Sequence, residues 1–264
     1  MTLPLNGWRV LVPRGGPWGD DVAARLWAQG AEPLIAPLID FTGPEHPAAV
    51  ADAMQRLEAA EFDWLVVTSA TTVEAIGTPR PPETVRVASV GDATTRALEE
   101  AGFRVDFQPI VDASARALVD EWPADGARVL VPQSALADAT LVDGLRARGC
   151  HVTIVTAYRT VPVTADVAVV EAVRAGEVRA ILVTSGSVAR QVAEQFGAIP
   201  PGTIVACIGP RTAEDAREVG LRVDVVARRR SVDAMIRSLI DGSGSPNSPD
   251  PINSPDSPNT EETP

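Results

Sequence analysis

The stretch AILVTSGSVARQVAEQFGAIPPGTIVACIGPRTAEDAREVG, residues 180 to 220, decides the fold. Ala180 to Val183 is a short apolar run that feeds Thr184-Ser185-Gly186-Ser187, and a helical pattern follows. A second such run, Ile204 to Ile208, feeds the turn Gly209-Pro210-Arg211-Thr212 and another helical pattern. Small hydroxyl and glycine residues between a β-rich run and a helix suit a tight turn and a helix N-terminus. Strand, turn and helix in alternation specify a parallel α/β sheet. Its turns gather at the carboxyl ends of the strands, where N–H groups and helix dipoles can hold an anion.

The same grammar extends in both directions. Upstream, RVLVPR (Arg9 to Arg14) reads as a first strand, broken by Gly15-Gly16-Pro17 before a helix over residues 19 to 29 that Gly30 ends. Glu32 to Phe41 carries Pro33 and Pro37 and reads as a linker or edge strand. Strands are expected at residues 64 to 68, 85 to 90, 105 to 108 and 128 to 132, with helices between them. The run His151 to Val163 is extended and contains Tyr158, the one tyrosine. Downstream, residues 222 to 227 read as a strand and residues 231 to 240 as a helix. After Asp241 the chain becomes Ser, Pro, Asn and Asp, which predicts a disordered tail over residues 242 to 264.

Three signatures recur in the same order about 120 residues apart, which indicates internal duplication. VLVPR at Val10 matches VLVPQ at Val129, and VVTSA at Val66 matches LVTSG at Leu182. VGDATTRALEEAGFRVDF from Val90 matches IGPRTAEDAREVGLRVDV from Ile208. The fold class expected is therefore α/β, with two similar domains of parallel sheet flanked by helices.

Composition removes several function classes. The net charge of −12 argues against nucleic acid, whose phosphates demand clustered cations. Every one of the 23 basic residues is arginine, so a lysine Schiff base and a Walker P-loop are both excluded. Cys150 and Cys207 are far apart in sequence, so neither a disulfide framework nor a metal site is expected. His46, in a Pro-flanked loop, and His151, at the head of an expected strand, read as surface or structural imidazoles. The N-terminus lacks a basic cluster followed by an apolar run, and no segment approaches the roughly 20 apolar residues of a membrane span. A cytoplasmic monomer with no nucleic-acid or membrane partner is expected.

What remains for chemistry is the set of paired turns. Thr68, Ser69, Thr184 and Ser185 with Gly186, and Thr94 and Thr212 beside Gly91 and Gly209, either cap helices or bind carboxylates together with neighbouring N–H groups. Gly91 and Gly209 are expected to need positive φ or a close backbone approach. Arg14 and Arg211 are either ligand contacts or solvated loop charges. Without a catalytic triad, metal cluster or lysine, an activity here must rest on binding and conformational control.

The TSG of Thr184 to Gly186, IGPRTAEDAREVG from Ile208 and AYRT from Ala157 resemble the uroporphyrinogen-III synthase family, over nearly all of residues 9 to 240. The resemblance implies cofactor-free closure of linear hydroxymethylbilane into uroporphyrinogen III with inversion of the last pyrrole ring. It implies that the enzyme producing hydroxymethylbilane is a possible partner. It also implies two α/β domains joined by a two-stranded connector, which divides this chain into residues 1–37 with 163–241, and residues 41–152. Tyr158 stands at the family's motif position, as a weak acid that assists departure of the hydroxyl; read without the resemblance, it is a packing residue. Two rivals are a non-catalytic two-lobed binding protein and a racemase with one cysteine per half. The second is weakened because the duplicate position of Cys207 is near Ser89, not Cys150.

Truncation after Asp241 is expected to leave the chain's turnover unchanged. Comparing full-length and truncated protein in one assay checks this, and a large loss would give the tail a role.

Overall fold

A computed structural model describes residues 3–243, and the expected tail lies outside these residues apart from Gly242 and Ser243. In chain order the elements are β1 (Arg9–Val12), α1 (Gly16–Ala28), β2 (Glu32–Ile35), β3 (Ile39–Thr42), α2 (Pro47–Glu58), β4 (Trp64–Val67) and α3 (Ala70–Ile76). Then come β5 (Arg86–Ser89), α4 (Asp92–Glu100), α5 (Ala115–Asp120), β6 (Arg128–Ser134), α6 (Thr140–Ala147) and β7 (His151–Pro162). The chain continues with α7 (Val167–Arg174), β8 (Ala180–Val183), α8 (Gly186–Phe196), β9 (Ile204–Cys207), α9 (Pro210–Glu218), β10 (Val225–Val226) and α10 (Val232–Ser243).

These strands form two five-stranded sheets, ordered β10-β9-β8-β1-β2 and β3-β7-β6-β4-β5. The first is parallel throughout, and in the second only β3 runs against its neighbour β7. Both faces of each sheet are covered, which is why the central strands are continuous apolar runs rather than alternating ones. In the first sheet Leu11, Ile181, Val183 and Val205 pack into one core, and Val10, Val12, Leu182 and Ala206 into the core behind it. In the second, Leu65, Val67, Val87 and Leu130 face one core, and Trp64, Val66, Ala88 and Val129 the other.

The run Glu32 to Phe41, expected as a linker or an edge strand, is two strands in different sheets. Glu32–Ile35 pairs with β1 at the edge of the first sheet, where Pro33 costs no ladder bond to a missing neighbour. After Ala36 to Leu38, Ile39–Thr42 joins the second sheet antiparallel to the far end of β7, with Ile39 opposite Pro162 and Thr42 opposite Arg159. β7 reaches that point by first pairing parallel with β6, from His151 opposite Arg128 to Thr156 opposite Gln133. A bulge between Gln133 and Ser134 then sets Ser134 opposite Tyr158.

Two expected strands shrink for a shared reason. Residues 105 to 108 retain one bridge, Ala88 to Phe107, and residues 222 to 227 retain only Val225–Val226. In each, an aspartate carboxylate takes the place of a strand carbonyl. The Val87 N–H donates to Asp106 Oδ2 at 2.9 Å, and the Val205 N–H donates to Asp224 Oδ2 at 2.8 Å. Asp106 N–H and Asp224 N–H donate back to the carbonyls of Val87 and Val205. Arg104 Nε holds Asp106 at 3.0 Å and Arg222 Nε holds Asp224 at 2.6 Å. The duplicated Arg-Val-Asp motif thus ends each sheet in the same way.

Asp106→Ala and Asp224→Ala strip a buried-side partner from a strand N–H, and each is expected to lower stability by about 1–3 kcal/mol. Urea unfolding of the two variants checks this, and a change within error would show that water replaces the carboxylate.

Candidate functional site

Because β1, β4, β6, β8 and β9 end in turns, the polar ends of both sheets have no neighbouring strand to cover them. A cleft of about 540 Å³ lies against these ends. From the first sheet's turns it is lined by Arg14, Thr184, Ser185, Gly186 and Arg211, and from the second's by Thr68, Ser69, Gln133, Ser134 and Tyr158. The duplicate turns therefore share one opening. Thr68 and Thr184 are equivalents, as are Ser69 and Ser185, and Gln133 occupies the position that Arg14 holds in the other repeat.

The serines keep their structural task within this lining. Ser69 Oγ accepts the Thr71 N–H at 3.2 Å to cap α3, and Ser185 Oγ accepts the Val188 N–H at 3.2 Å to cap α8. Thr184 differs, since its buried hydroxyl oxygen finds no hydrogen-bond partner among the described residues. Gly186 is required by crowding: a Cβ there would stand 2.5 Å from Asp215 Oδ2.

Arg14 is the most unusual group in the cleft. Its guanidinium lies 4.7 Å from the ring centre of Trp18 and 4.8 Å from that of Phe41, and no carboxylate pairs with it among the described residues. Burial lowers its pKa, opposed by the charges of Tyr158 and Glu74. An arginine stays protonated through such a shift, so the cleft holds a partly desolvated cation stacked on aromatic faces. Phe41 in turn meets Tyr158 edge to face, with ring centres 5.4 Å apart at 87°. Tyr158 is 8% exposed and reaches the cleft from β7, and its hydroxyl makes no hydrogen bond among the described residues.

Four sequence candidates do not line the cleft. Gly91 and Gly209 precede α4 and α9, but at φ −174° and 179° both are extended, so neither needs the left-handed region. Gly91 does meet a close approach, since a Cβ would sit 2.9 Å from Ala113 Cβ. Gly209 meets only an ordinary contact with Arg230. Thr94 and Thr212 occupy the third positions of their helices, where the side chain turns inward, and both are buried.

Sequence reasoning missed Gln133, Asp138, Arg190 and Arg230, all of which line the cleft. Gln133 was within reach, as the duplicate of Arg14. Asp138 accepts the Thr140 N–H at 2.9 Å, and hydrogen bonding to Thr140, helped by the charge of Arg211, holds its carboxyl below the usual range. Arg211 itself pairs with Asp215 at 3.1 Å.

A protein-family model described as "Uroporphyrinogen-III synthase HemD" matches residues 20–237. A Synechococcus elongatus protein described as uroporphyrinogen-III synthase is 27% identical over 89% of this chain and 96% of its own length. The porphyrin biosynthesis protein HemD of Ruminiclostridium josui is 28% identical over 92% of this chain, which spans 50% of that longer protein. Among solved structures, a mutant uroporphyrinogen III synthase of Thermus thermophilus superposes with a TM-score of 0.62 at 19% identity, over 89% of this chain and 98% of that one. The Helicobacter pylori enzyme gives 0.59 at 16% identity, covering 89% and 98%. At these identities the two structures speak for the fold: two mostly parallel sheets flanked by helices.

Thiol chemistry has no support in the geometry. Cys150 and Cys207 are both buried and unpaired, and burial pushes the Cys207 thiol up to about 11. A thiolate nucleophile at that position is scarce at neutral pH. Native protein at pH 7 is expected to react with a thiol reagent such as Ellman's far more slowly than the urea-unfolded chain, and fast native labelling of Cys207 would reopen the question.

Proposed function

The chain belongs to the uroporphyrinogen-III synthase family of tetrapyrrole biosynthesis, and on that premise we propose that it converts hydroxymethylbilane to uroporphyrinogen III with inversion of the terminal pyrrole ring. The observation that carries the reading is a cleft lined by equivalent turns of both repeats, with a phenol at Tyr158 and a guanidinium at Arg14 that pairs with no carboxylate among the described residues. A flexible chain bearing many carboxylates needs anion-binding groups and a fixed shape in which to close. Arg14, the turn N–H groups and the Thr68, Ser69, Thr184, Ser185 and Gly186 segments offer the first. Opposed turns of two lobes offer the second.

In the proposed step the Tyr158 hydroxyl donates its proton to the substrate's departing hydroxyl, which leaves as water. The methylene carbon left electron-poor then bonds to the terminal-ring carbon that already carries the bridge to its neighbour; that bridge breaks, its methylene bonds instead to the ring's unsubstituted carbon, and the proton lost there restores the phenol as the inverted macrocycle forms. Phe41, packed edge to face on Tyr158, fixes the phenol's direction. Arg14 lies over the Phe41 ring, where it can hold an acid group of the substrate and keep it beside the phenol. Residues 1–37 with 163–241 form one lobe in this reading, and residues 41–152 the other. The enzyme works as a cytoplasmic monomer supplied by whichever enzyme makes hydroxymethylbilane. No helix among the described residues is long and apolar enough to cross a membrane.

Freshly made hydroxymethylbilane, incubated with the protein and resolved by chromatography, is expected to give isomer III in excess. Isomer I alone, the product of unassisted closure, would overturn the reading and leave a two-lobed binding protein in its place. Tyr158→Phe is expected to fold normally and lose about a hundredfold in kcat, the low end for a positioned acid. Full turnover in that variant would remove the acid role without touching the rest.

A further inference from the structure

The whole protein carries a net charge of −12, yet the cleft collects Arg14, Arg190, Arg211 and Arg230 against the carboxylates of Asp138, Asp215 and Glu218. All four come from elements of the first sheet: the turn after β1, the helices α8 and α9, and the segment between β10 and α10. The second sheet's wall offers no cation. It places Gln133 where the first has Arg14, and it adds the carboxylate of Asp138.

The four cations are not equivalent. Arg211 is bound to Asp215 one helical turn on, and its charge also acts on Asp138. The Asp215 carboxylate is itself wedged against Gly186, where any Cβ would collide with it. Arg211 is therefore already paired with a carboxylate of the protein itself. Arg190 and Arg230 are exposed and pair with no carboxylate among the described residues, as is true of Arg14. The Arg230 stem lies over the Gly209 turn, its Cγ 3.9 Å from where a Cβ on that glycine would be. That directs attention to the start of α9, where the backbone also favours negative charge.

We propose that Arg190 and Arg230, together with Arg14, hold carboxylates of the substrate, so that the acid groups are gripped from the first sheet's wall alone. Arg211 is a structural cation that fixes Asp215 and the starts of α8 and α9. This deepens the function proposed above and rests on it: the second sheet's wall then contributes Tyr158 and neutral hydrogen-bonding groups that shape the bilane once its acids are fixed. The division also accounts for how an acidic protein takes an acidic ligand, since the required positive field is local to one wall of the cleft.

The test uses full-length protein with hydroxymethylbilane as substrate and uroporphyrin III as a stable polycarboxylate inhibitor, each over a range of NaCl concentrations. Arg190→Gln and Arg230→Gln are each expected to raise KM and the inhibition constant roughly tenfold, the loss of one charge-assisted hydrogen bond, with kcat retained. Both should flatten the salt dependence, and Arg190→Lys and Arg230→Lys should recover most of it. Arg211→Gln should raise KM less than either, at some cost in thermal stability, and Arg174→Gln, an exposed change at the C-terminal end of α7 outside the cleft lining, should match the parent. Unchanged KM and salt dependence in both Gln variants would overturn the proposal, as would an Arg211→Gln effect on KM larger than theirs. Absence of isomer III from the unmodified protein would instead defeat the function reading itself, so the two failures are distinct.

Discussion

The constraint on which the molecule depends is that parallel strands buried on both faces must all finish at one edge. Apart from the antiparallel pairing of β3 with β7, no strand in either sheet turns back on its neighbour. The turns are left polar, crowded with helix starts and free of side-chain bulk, and they become a binding surface without any residue being added for the purpose. Serine caps illustrate the economy. Ser69 and Ser185 are needed to start α3 and α8 whether or not a ligand arrives, and they line the cleft because that is where those helices start.

The joint between the sheets converts two such edges into one site. β7 spends its first half beside β6 and its second half beside β3, and the bulge at Gln133 and Ser134 falls between these tasks. Tyr158 sits at the changeover and is thereby brought to the mouth of the cleft beside Phe41, the strand partner of Thr160. Side chains on a strand alternate between faces, so the residue inserted by the bulge determines which way the phenol points. Arg14 arrives from the other sheet and completes the cluster by stacking on the same phenylalanine.

The sheets were readable from the chain because central strands such as WLVV and AILV are apolar throughout and are followed by hydroxyl-glycine turns. The repeat was readable because two copies of one unit keep the same turn residues. What escaped was set by contacts distant in sequence. Residues 105 to 108 and 222 to 227 have strand-like composition, and only the three-dimensional fit shows an aspartate carboxylate standing in for a carbonyl. Thr94 and Thr212 looked like cap residues, but the caps are the glycines before them, and the third helical position faces inward. Arg190 lies within a helix and Arg230 in a run of three arginines, so neither carries a local signal. Their importance comes from what surrounds them and from the carboxylates that are not there.

The pairing of β1 with β8 has a consequence for how the chain is made. Leu11 is opposite Ile181, so β1 waits for its central neighbour while everything from α1 to α7 is synthesised. The second sheet, by contrast, holds all its strands between Ile39 and Pro162 and can condense while translation continues. At about 5–20 residues per second, β1, α1 and β2 spend on the order of ten seconds or more without the sheet that covers them. The apolar VLV of β1 thus stays without its central neighbour until β8 emerges, and β8 is the strand that joins the early and late parts of the first sheet.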